Sequence, residues 1–531
     1  MDFKTTILNY FNLSKEDYTF LTRPIENIKL PSFDNFIGID IANDIIKEAM
    51  KNGDKIVIYG DYDCDGIMAT SIMVKCFSLM NYKVGYYVPS RYIDGYGLNE
   101  KRVEEFYNKG YKLIITVDNG IAQFAAIKRA YELGLKVIIT DHHEPQNKLP
   151  EVEVILHPTI SHYGDIVCCG AYVAFMLASK LLNQQNEYLL SLAAIATISD
   201  MMELKSYNRD IVRLGIYFMN KNHYKTIDKL AEYTEIDENV IGLKIAPKIN
   251  AVGRMIENTS INYLIEYFVD DKSSRFEAIY QFIESTNDTR KELTSSSIKS
   301  IDVLPSSSCI MLTTDLKEGI IGLVANNLMN KYLKPTIVFT YDSQNKEILK
   351  GSARSKKGLA INKFFLENND ILLTSGGHEQ AGGLSLLKDN FDELKKRFEK
   401  YAYEHHFLEE QEDYVEINIT DINEDNYLFL KALSPFGEGF KMPLLKINNI
   451  SVHSLTYAKS KMHILYHLSI NQKIIGFNYS EQLLKNYDFI NVFGTLSYSY
   501  FNNKKSFDYQ IKKITDKDNR VIQNDKTKTV I

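Results

Sequence analysis

The sequence predicts a multidomain α/β protein, with a principal domain on a parallel sheet, a helical connector, a second and smaller α/β domain and a C-terminal OB-like β-barrel. Three observations predict it. Between residues 54 and 200, short β-branched runs alternate with amphipathic stretches. A shorter stretch of the same texture recurs at 305–405. Beyond 406 the chain turns to closely spaced alternating strands such as KINNISVHSLTYA, MHILYHLSI, QKIIGFNY and INVFGTLSYSY. At 531 residues the chain is too long for one core.

The elements run in order along the chain. Residues 1–50 form an N-terminal segment. Residues 51–210 carry the runs KIVIYG, KVGYYV, KLIITV, KVIIT and EVILH, with helical spacing between them at 66–81 and 120–134. Residues 211–304 read as helical, and the polar stretch 272–300 as a long connector helix. Residues 305–405 hold strands near CIMLTT and PTIVFT and helices near 319–331 and 391–405. Residues 406–515 suggest a five-stranded barrel, and the charged, aperiodic tail 516–531 reads as disordered.

Composition narrows the class. Hydrophobic residues at 45% and charged residues at 24% are the balance of a packed globular protein. The five cysteines, Cys64, Cys76, Cys168, Cys169 and Cys309, are odd in number and scattered, which excludes a disulfide framework or zinc-finger spacing and fits a reducing compartment. Met1–Tyr10 lacks the apolar stretch of a secretion signal, and no apolar run is long enough to cross a bilayer. These features predict a cytoplasmic protein without membrane association. The net charge of −6 does not exclude nucleic acid, because phosphate recognition depends on local basic clusters.

In an open parallel sheet, ligands bind beyond the carboxyl ends of the strands. Here those ends are acidic or histidine. KIVIYG runs into Asp61-Tyr62-Asp63-Cys64-Asp65, KLIITV into Asp118-Asn119-Gly120, and KVIIT into Asp141-His142-His143; the helical ISD adds Asp200. A single Asp after a strand is an ordinary turn residue. Three acidic strand ends and a His pair in register are another matter: so many carboxylates on one rim repel one another unless a multivalent cation neutralises them. Carboxylates with an imidazole suit Mn2+ or Mg2+, and a shared carboxylate allows two ions about 3.5–4 Å apart. Cys64 alternates with the aspartates and reads as a small buried residue.

DYDCDG (61–66), VDNG (117–120) and DHH (141–143), in this order on these strands, resemble the DHH phosphoesterase family. SRYIDGYGL (90–98), INAVGRM (249–255), EGIIGLVANNL (318–328), GSARS (351–355), SGGHEQAGG (375–383) and SPFGEGF (434–440) extend the resemblance over most of residues 50–510 and narrow it to the RecJ branch. It implies a catalytic set of Asp61, Asp63, Asp65, Asp118, His142, His143 and Asp200. Of these, Asp63, Asp65, Asp118, His142 and Asp200 would be ligands of two divalent cations, Mn2+ or Mg2+, with Asp118 as the bridge. The implied activity is 5′ to 3′ hydrolysis of single-stranded DNA by two-metal-ion catalysis, in DNA repair and recombination. Implied partners are single-stranded DNA, a helicase and a single-strand-binding protein. The sequence departs from the family pattern at Cys64, often Ala in relatives, and at Phe440, often Asn.

Arg91 and Arg254 stand in glycine-bearing motifs that read as loops, and by resemblance contact a terminal or scissile phosphate. Ser352, Arg354, Gly376, Gly377 and His378 complete the expected substrate contacts. SGGHEQAGG reads as a loop whose backbone N–H groups approach phosphate, flanked by the lysines at 346, 350, 356 and 357. Barrel aromatics such as Tyr479, Tyr498, Phe507 and Tyr509 are divided between core and base stacking. Two other readings stay open: a DHH hydrolase of oligoribonucleotides or cyclic dinucleotides, and a non-catalytic single-stranded-DNA-binding scaffold.

Overall fold

The computed structural model describes residues 2–164, 166–301, 307–343, 345–408, 413–469, 471–501 and 504–524. The chain divides into two compact units, residues 29–409 and residues 1–28 together with 410–531. Among the described residues no helix is long and apolar enough to cross a membrane.

The larger unit opens on a five-stranded sheet, β1 (Lys55–Tyr59), β2 (Gly85–Tyr87), β3 (Tyr111–Val117), β4 (Lys136–Thr140) and β5 (Val154–Leu156), in the order β2-β1-β3-β4-β5. Every pairing is parallel. This is why the strands read as continuous apolar runs: both faces are covered by helices, and Ile56, Ile58, Ile114, Ile115 and Ile138 are essentially inaccessible. Helices Cys64–Leu79, Gly170–Leu182 and Glu187–Ser199 are buried around nearly their whole circumference, consistent with their lack of a polar stripe. Each apolar side chain so buried contributes roughly 1.5–3 kcal/mol. The expected connector is a 25-residue helix, Phe276–Ser300, roughly 38 Å long at 1.5 Å per residue.

The second sheet of this unit comprises β6 (Ile310–Thr314), β7 (Thr336–Tyr341), β8 (Ile348–Arg354), β9 (Leu372–Gly377) and β10 (Ala381–Leu387), ordered β6-β7-β8-β10-β9. Only the first pairing is parallel. Most of SGGHEQAGG is therefore strand, where the sequence suggested a loop, and GSARS is strand through Arg354. Glycine is a poor strand former in general, but here close packing requires it. A Cβ at Gly382 would lie 2.6 Å from Phe365 and 2.8 Å from the Gly376 carbonyl. Arg254 likewise stands on a helix, Ala246–Met255, and not in a loop.

The smaller unit is built on a seven-stranded sheet: β11 (Tyr414–Glu416), β12 (Leu444–Ser451), β13 (Ile464–Ser469), β14 (Gln472–Gly476), β15 (Phe489–Phe501), β16 (Lys504–Thr515) and β17 (Val521–Ile522). The order is β11-β12-β15-β16-β14-β13, with β17 on β16. Seven strands replace the expected five, and the pairing runs as an open path. Residues 516–524 are not the expected unstructured tail, because Val521 and Ile522 pair with Thr515 and Ile514; residues 525–531 lie outside the described residues. The first 28 residues join this unit through aromatic contacts. Phe11 stacks on Phe440 (4.3 Å between centroids) and Tyr18 on Phe429 (4.7 Å). Tyr479, Phe507 and Tyr509 are core, whereas Phe477 and Tyr498 are exposed.

Candidate metal centre

The acidic residues converge because each leaves the same end of the first sheet. After β1 the chain passes Asp61 and enters helix Cys64–Leu79, whose N-cap is Asp63, accepting from the Gly66 N–H at 3.1 Å. Asp65 sits in the first helical turn and accepts from two N–H groups at the start of another helix, Gly170 and Ala171, both at 2.7 Å. Its carboxylate thus completes a helix N-terminus, where negative charge is favoured. Asp118 follows β3 with a left-handed backbone (φ 61°), and its N–H is held by the Thr140 carbonyl at 2.9 Å. Asn119 ties the strand ends together, donating to the carbonyls of Gly60 (3.1 Å) and Val117 (2.9 Å).

His142 points its Nε2 at three of these carboxylates: 3.1 Å from Asp118, 3.5 Å from Asp65 and 3.7 Å from Asp200. Three groups bring one ligand atom from each member within 4.8 Å of the others: Asp61, Asp63 and Asp118; Asp65, His142 and Asp200; and Asp118, His142 and His143. Asp118 belongs to two of them. The structure therefore brings together all seven expected catalytic residues.

The electrostatics are those of buried carboxylates crowded together. Burial, followed by the neighbouring carboxylates, holds Asp61 and Asp118 well above the usual carboxylate range, and pushes Asp200 up to about 8. Burial also raises Asp65 and lowers His142, so the imidazole is neutral and available as a ligand. Asp61 Oδ1, Asp118 Oδ1, Asp200 Oδ2 and His142 Nδ1 are buried with no hydrogen bond among the described residues. Asp118 Oδ1 lies within ion-pair distance of His142 without the alignment of a hydrogen bond. Buried acceptors left unpaired are costly, and a divalent cation would satisfy those of the three carboxylates.

Several supporting residues escape a reading of the motifs. Asp141 accepts from the His142 and His143 N–H groups (2.8 and 3.2 Å), from His143 Nδ1 (2.8 Å) and from the Ile121 N–H (2.9 Å). Although burial opposes it, the bond and charge of Asp141 raise His143 to about 9, while His143 and the N–H donors lower Asp141. Gly170 leaves room for the Asp118 carboxylate, which a Cβ would strike. Asn250 Oδ1 accepts from the Cys64 N–H at 2.9 Å, steadying the first acidic loop.

Beside the carboxylates lies a cationic cluster. Arg254 is lowered to about 10 by burial and then by Arg91 and Arg354, with Arg290 of the connector helix also opposing it; Asp63 acts in the other direction. The hydrogen-bond partners of these arginines are neutral. Arg254 donates to Gly319 O (3.4 Å), Arg354 to Ser352 Oγ (3.0 Å) and Ala353 O (2.7 Å), and Arg290 to Asn287 Oδ1 (2.9 Å). The buried Nε atoms of Arg91 and Arg290 have no hydrogen-bond partner among the described residues. Such a group suits a phosphate. Ser352, Gly383 and Gly376 form one row across β8, β10 and β9. Gly377 and His378 follow at the end of β9, with the His378 N–H on Ala381 O (2.8 Å). Lys350, one of the lysines flanking the SGGHEQAGG run, pairs with Asp342 (2.9 Å) and Glu318 (3.1 Å).

Comparison with known proteins accords with this arrangement. Family models match at residues 55–198 (DHH family, N-terminal domain), 306–404 (DHHA1 domain) and 415–513 (RecJ OB domain). The single-stranded-DNA-specific exonuclease RecJ of Escherichia coli is 30% identical over 401 residues, covering 68% of both chains. The chain belongs to the RecJ family. The Bacillus subtilis RecJ is 32% identical over 498 residues, 90% of this chain, and this chain's match spans 63% of that relative's length. A RecJ crystal structure from Thermus thermophilus, in complex with Mn2+, has the same fold, with a TM-score of 0.81 over 97% of this chain and 76% of that one at 24% identity. A second RecJ structure, bound to manganese, gives a TM-score of 0.61 at 28% identity, over 69% of this chain and 95% of the other. The RecJ OB match falls on the open seven-stranded sheet of the smaller unit.

Proposed function

We propose that this chain is a metal-dependent exonuclease that hydrolyses single-stranded DNA from its 5′ end. The observation that carries the proposal is the pair of buried carboxylate oxygens beside His142, Asp118 Oδ1 and Asp200 Oδ2, with no hydrogen-bond partner among the described residues, together with arginines whose hydrogen-bond partners are neutral. Asp63, Asp65, Asp118, His142 and Asp200 would hold two divalent cations, Mn2+ or Mg2+, with Asp118 shared and Asp61 beside it. When bound, the cations supply an activated water and stabilise charge on the reacting phosphate.

The chain's own residues do the rest. Asp141 fixes both histidines of the DHH run. His143, held protonated by Asp141, stands as a donor at the rim, with Tyr96 OH 3.0 Å from its Nε2. Arg91, Arg254 and Arg354 orient phosphate, aided by Ser352, by the bare backbone at Gly376 and Gly377 and by the His378 side chain. Relatives at 30–32% identity are named single-stranded-DNA-specific exonucleases, which supports single-stranded DNA over a smaller substrate. Action in DNA repair and recombination inside the cell, with a helicase and a single-strand-binding protein, goes with that reading.

The test is incubation with Mn2+ and matched single- and double-stranded DNA labelled at either end, with Asp118→Ala as control. Mononucleotides released from the 5′ end of the single strand only, and absent in the control, are expected. Cleavage confined to di- to pentanucleotides, or binding without cleavage, would overturn the proposal.

A further inference from the structure

His157 follows β5 and is fully buried, outside every group of side chains that could reach a metal. From sequence it is a lone histidine between a strand and a proline, the usual mark of a core residue. Its two ring nitrogens are both engaged. The Thr159 N–H donates to Nδ1 at 3.2 Å, so Nδ1 is the unprotonated nitrogen, and Nε2 carries the hydrogen. That Nε2–H donates to the His143 carbonyl at 2.7 Å. The tautomer is thus set by two neighbours of fixed polarity.

The bond completes a bracket around the DHH run. On one side the Asp141 carboxylate takes the His142 N–H, the His143 N–H and His143 Nδ1. On the other, His157 holds the His143 carbonyl. The Asp141 N–H is bound to the carbonyl of Leu156, the residue before His157, at 3.1 Å. The strand end carrying His157 and the one carrying the histidines are therefore joined at both limits of the run. With backbone and ring of His143 fixed at three points, the peptide planes of residues 142 and 143 lose the freedom to rotate. The ring of His142 is the one aimed at Asp118, Asp65 and Asp200.

We propose that His157 is a positioning residue of the metal centre, which through its Nε2–H on the His143 carbonyl holds the 142–143 run in ligating geometry before any cation binds. The inference rests on the metal-dependent reading above. Outer partners of this kind commonly govern 10–100-fold in metal affinity. The bond needs a donor at the Nε2 position and nothing charged. A glutamine amide reaches the same point, whereas methionine fills similar space without a donor.

The test is Mn2+ binding to chelator-treated protein by isothermal titration calorimetry, for the native chain, His157→Gln and His157→Met, each checked for folding by its melting curve. Steady-state kinetics on a single-stranded 30-mer accompany it. His157→Met should weaken Mn2+ binding by about 10–100-fold and lower kcat at limiting Mn2+, with KM for DNA unchanged. His157→Gln should stay within about threefold of native by the same argument. A folded His157→Met that binds Mn2+ as the native chain does would overturn the proposal, and so would a His157→Gln as impaired as His157→Met. If His157→Met does not fold, the glutamine variant decides alone, by whether it keeps near-native affinity. Failure of the native chain to bind Mn2+ would strike the metal reading itself, a result the comparison among variants cannot imitate.

Discussion

At the scale of single residues, the centre is defined by carboxylates raised above their ordinary range and by the atoms that make room for them. An Asp with an unfolded pKa near 3.9 and a folded value near 8, as at Asp200, binds more protons when folded. Its contribution to stability is therefore present below about pH 4 and is lost as the pH rises towards about 8. Asp61, Asp65 and Asp118 shift in the same direction, and His143, raised to about 9, works in the same sense. Chelator-treated protein should consequently melt at lower temperature at pH 8 than at pH 6, and Mn2+ should raise the melting temperature more at pH 8. Scanning calorimetry with and without Mn2+ measures both. Gly170→Ala places a methyl against Asp118; we expect a stability loss of about 1–3 kcal/mol and a 10–100-fold loss of metal affinity, by urea titration and calorimetry. These residues also show what the sequence discloses. Asp61, Asp118 and His142 are legible because a parallel sheet gathers the residues just past its strand ends on one rim. Gly170 and Asn250 are not, because the residues they serve are more than fifty positions away and nothing local marks the pairing.

At the scale of elements, the arginine cluster gathers like charges from the segment after β2, helix Ala246–Met255, the connector helix and β8. Half-buried arginines whose hydrogen-bond partners are neutral oppose folding and favour an incoming anion. Arg354→Met should therefore leave the DNA-free protein as stable as the native chain or more so, while raising KM for DNA by about tenfold or more, since a charge-assisted bond lost at a phosphate is worth about 1.5–3 kcal/mol. The same comparison at rising salt should show a shallower dependence in the variant. Arg290 belongs to this group but stands in a polar helical stretch with no motif around it, so its sequence reads as solvent-exposed connector. Glycine misleads in the opposite direction. The SGGHEQAGG run around Gly377 and Gly382 looks like a loop, yet most of it is strand in which a side chain would collide with Phe365 or a neighbouring carbonyl.

At the scale of the whole molecule, the chain is two compact units, with the metal centre contained in residues 29–409. The N-terminal residues and the C-terminal sheet share a unit although they are some 400 positions apart, and no periodicity announces such a pairing; Phe3 and Ile7 are buried in the core of that unit, and Phe11 stacks on Phe440 and Tyr18 on Phe429. Phe11→Ala should cost the smaller unit about 1.5–3 kcal/mol and leave Mn2+ affinity at its native value, because the mutated site and the carboxylates have no shared partner. Thermal melts followed by a probe in each unit, with a Mn2+ titration, test this independence. A change in Mn2+ affinity would contradict it.

Asp65 has a consequence of a different kind. Both of its oxygens are committed to the first two N–H groups of helix Gly170–Leu182, so the carboxylate is at once a piece of the metal centre and the cap of a buried helix. The position is therefore closed to gradual change. Glutamate keeps the charge but moves the cap by a methylene; asparagine keeps the shape but offers one acceptor for two donors. A lineage that abandoned the chemistry could shed Asp200, at the edge of the site, by one drifting substitution, but losing Asp65 would require a new end for the helix at the same time. In a descendant that no longer cleaves, Asp65 should be among the last of the acidic residues to disappear.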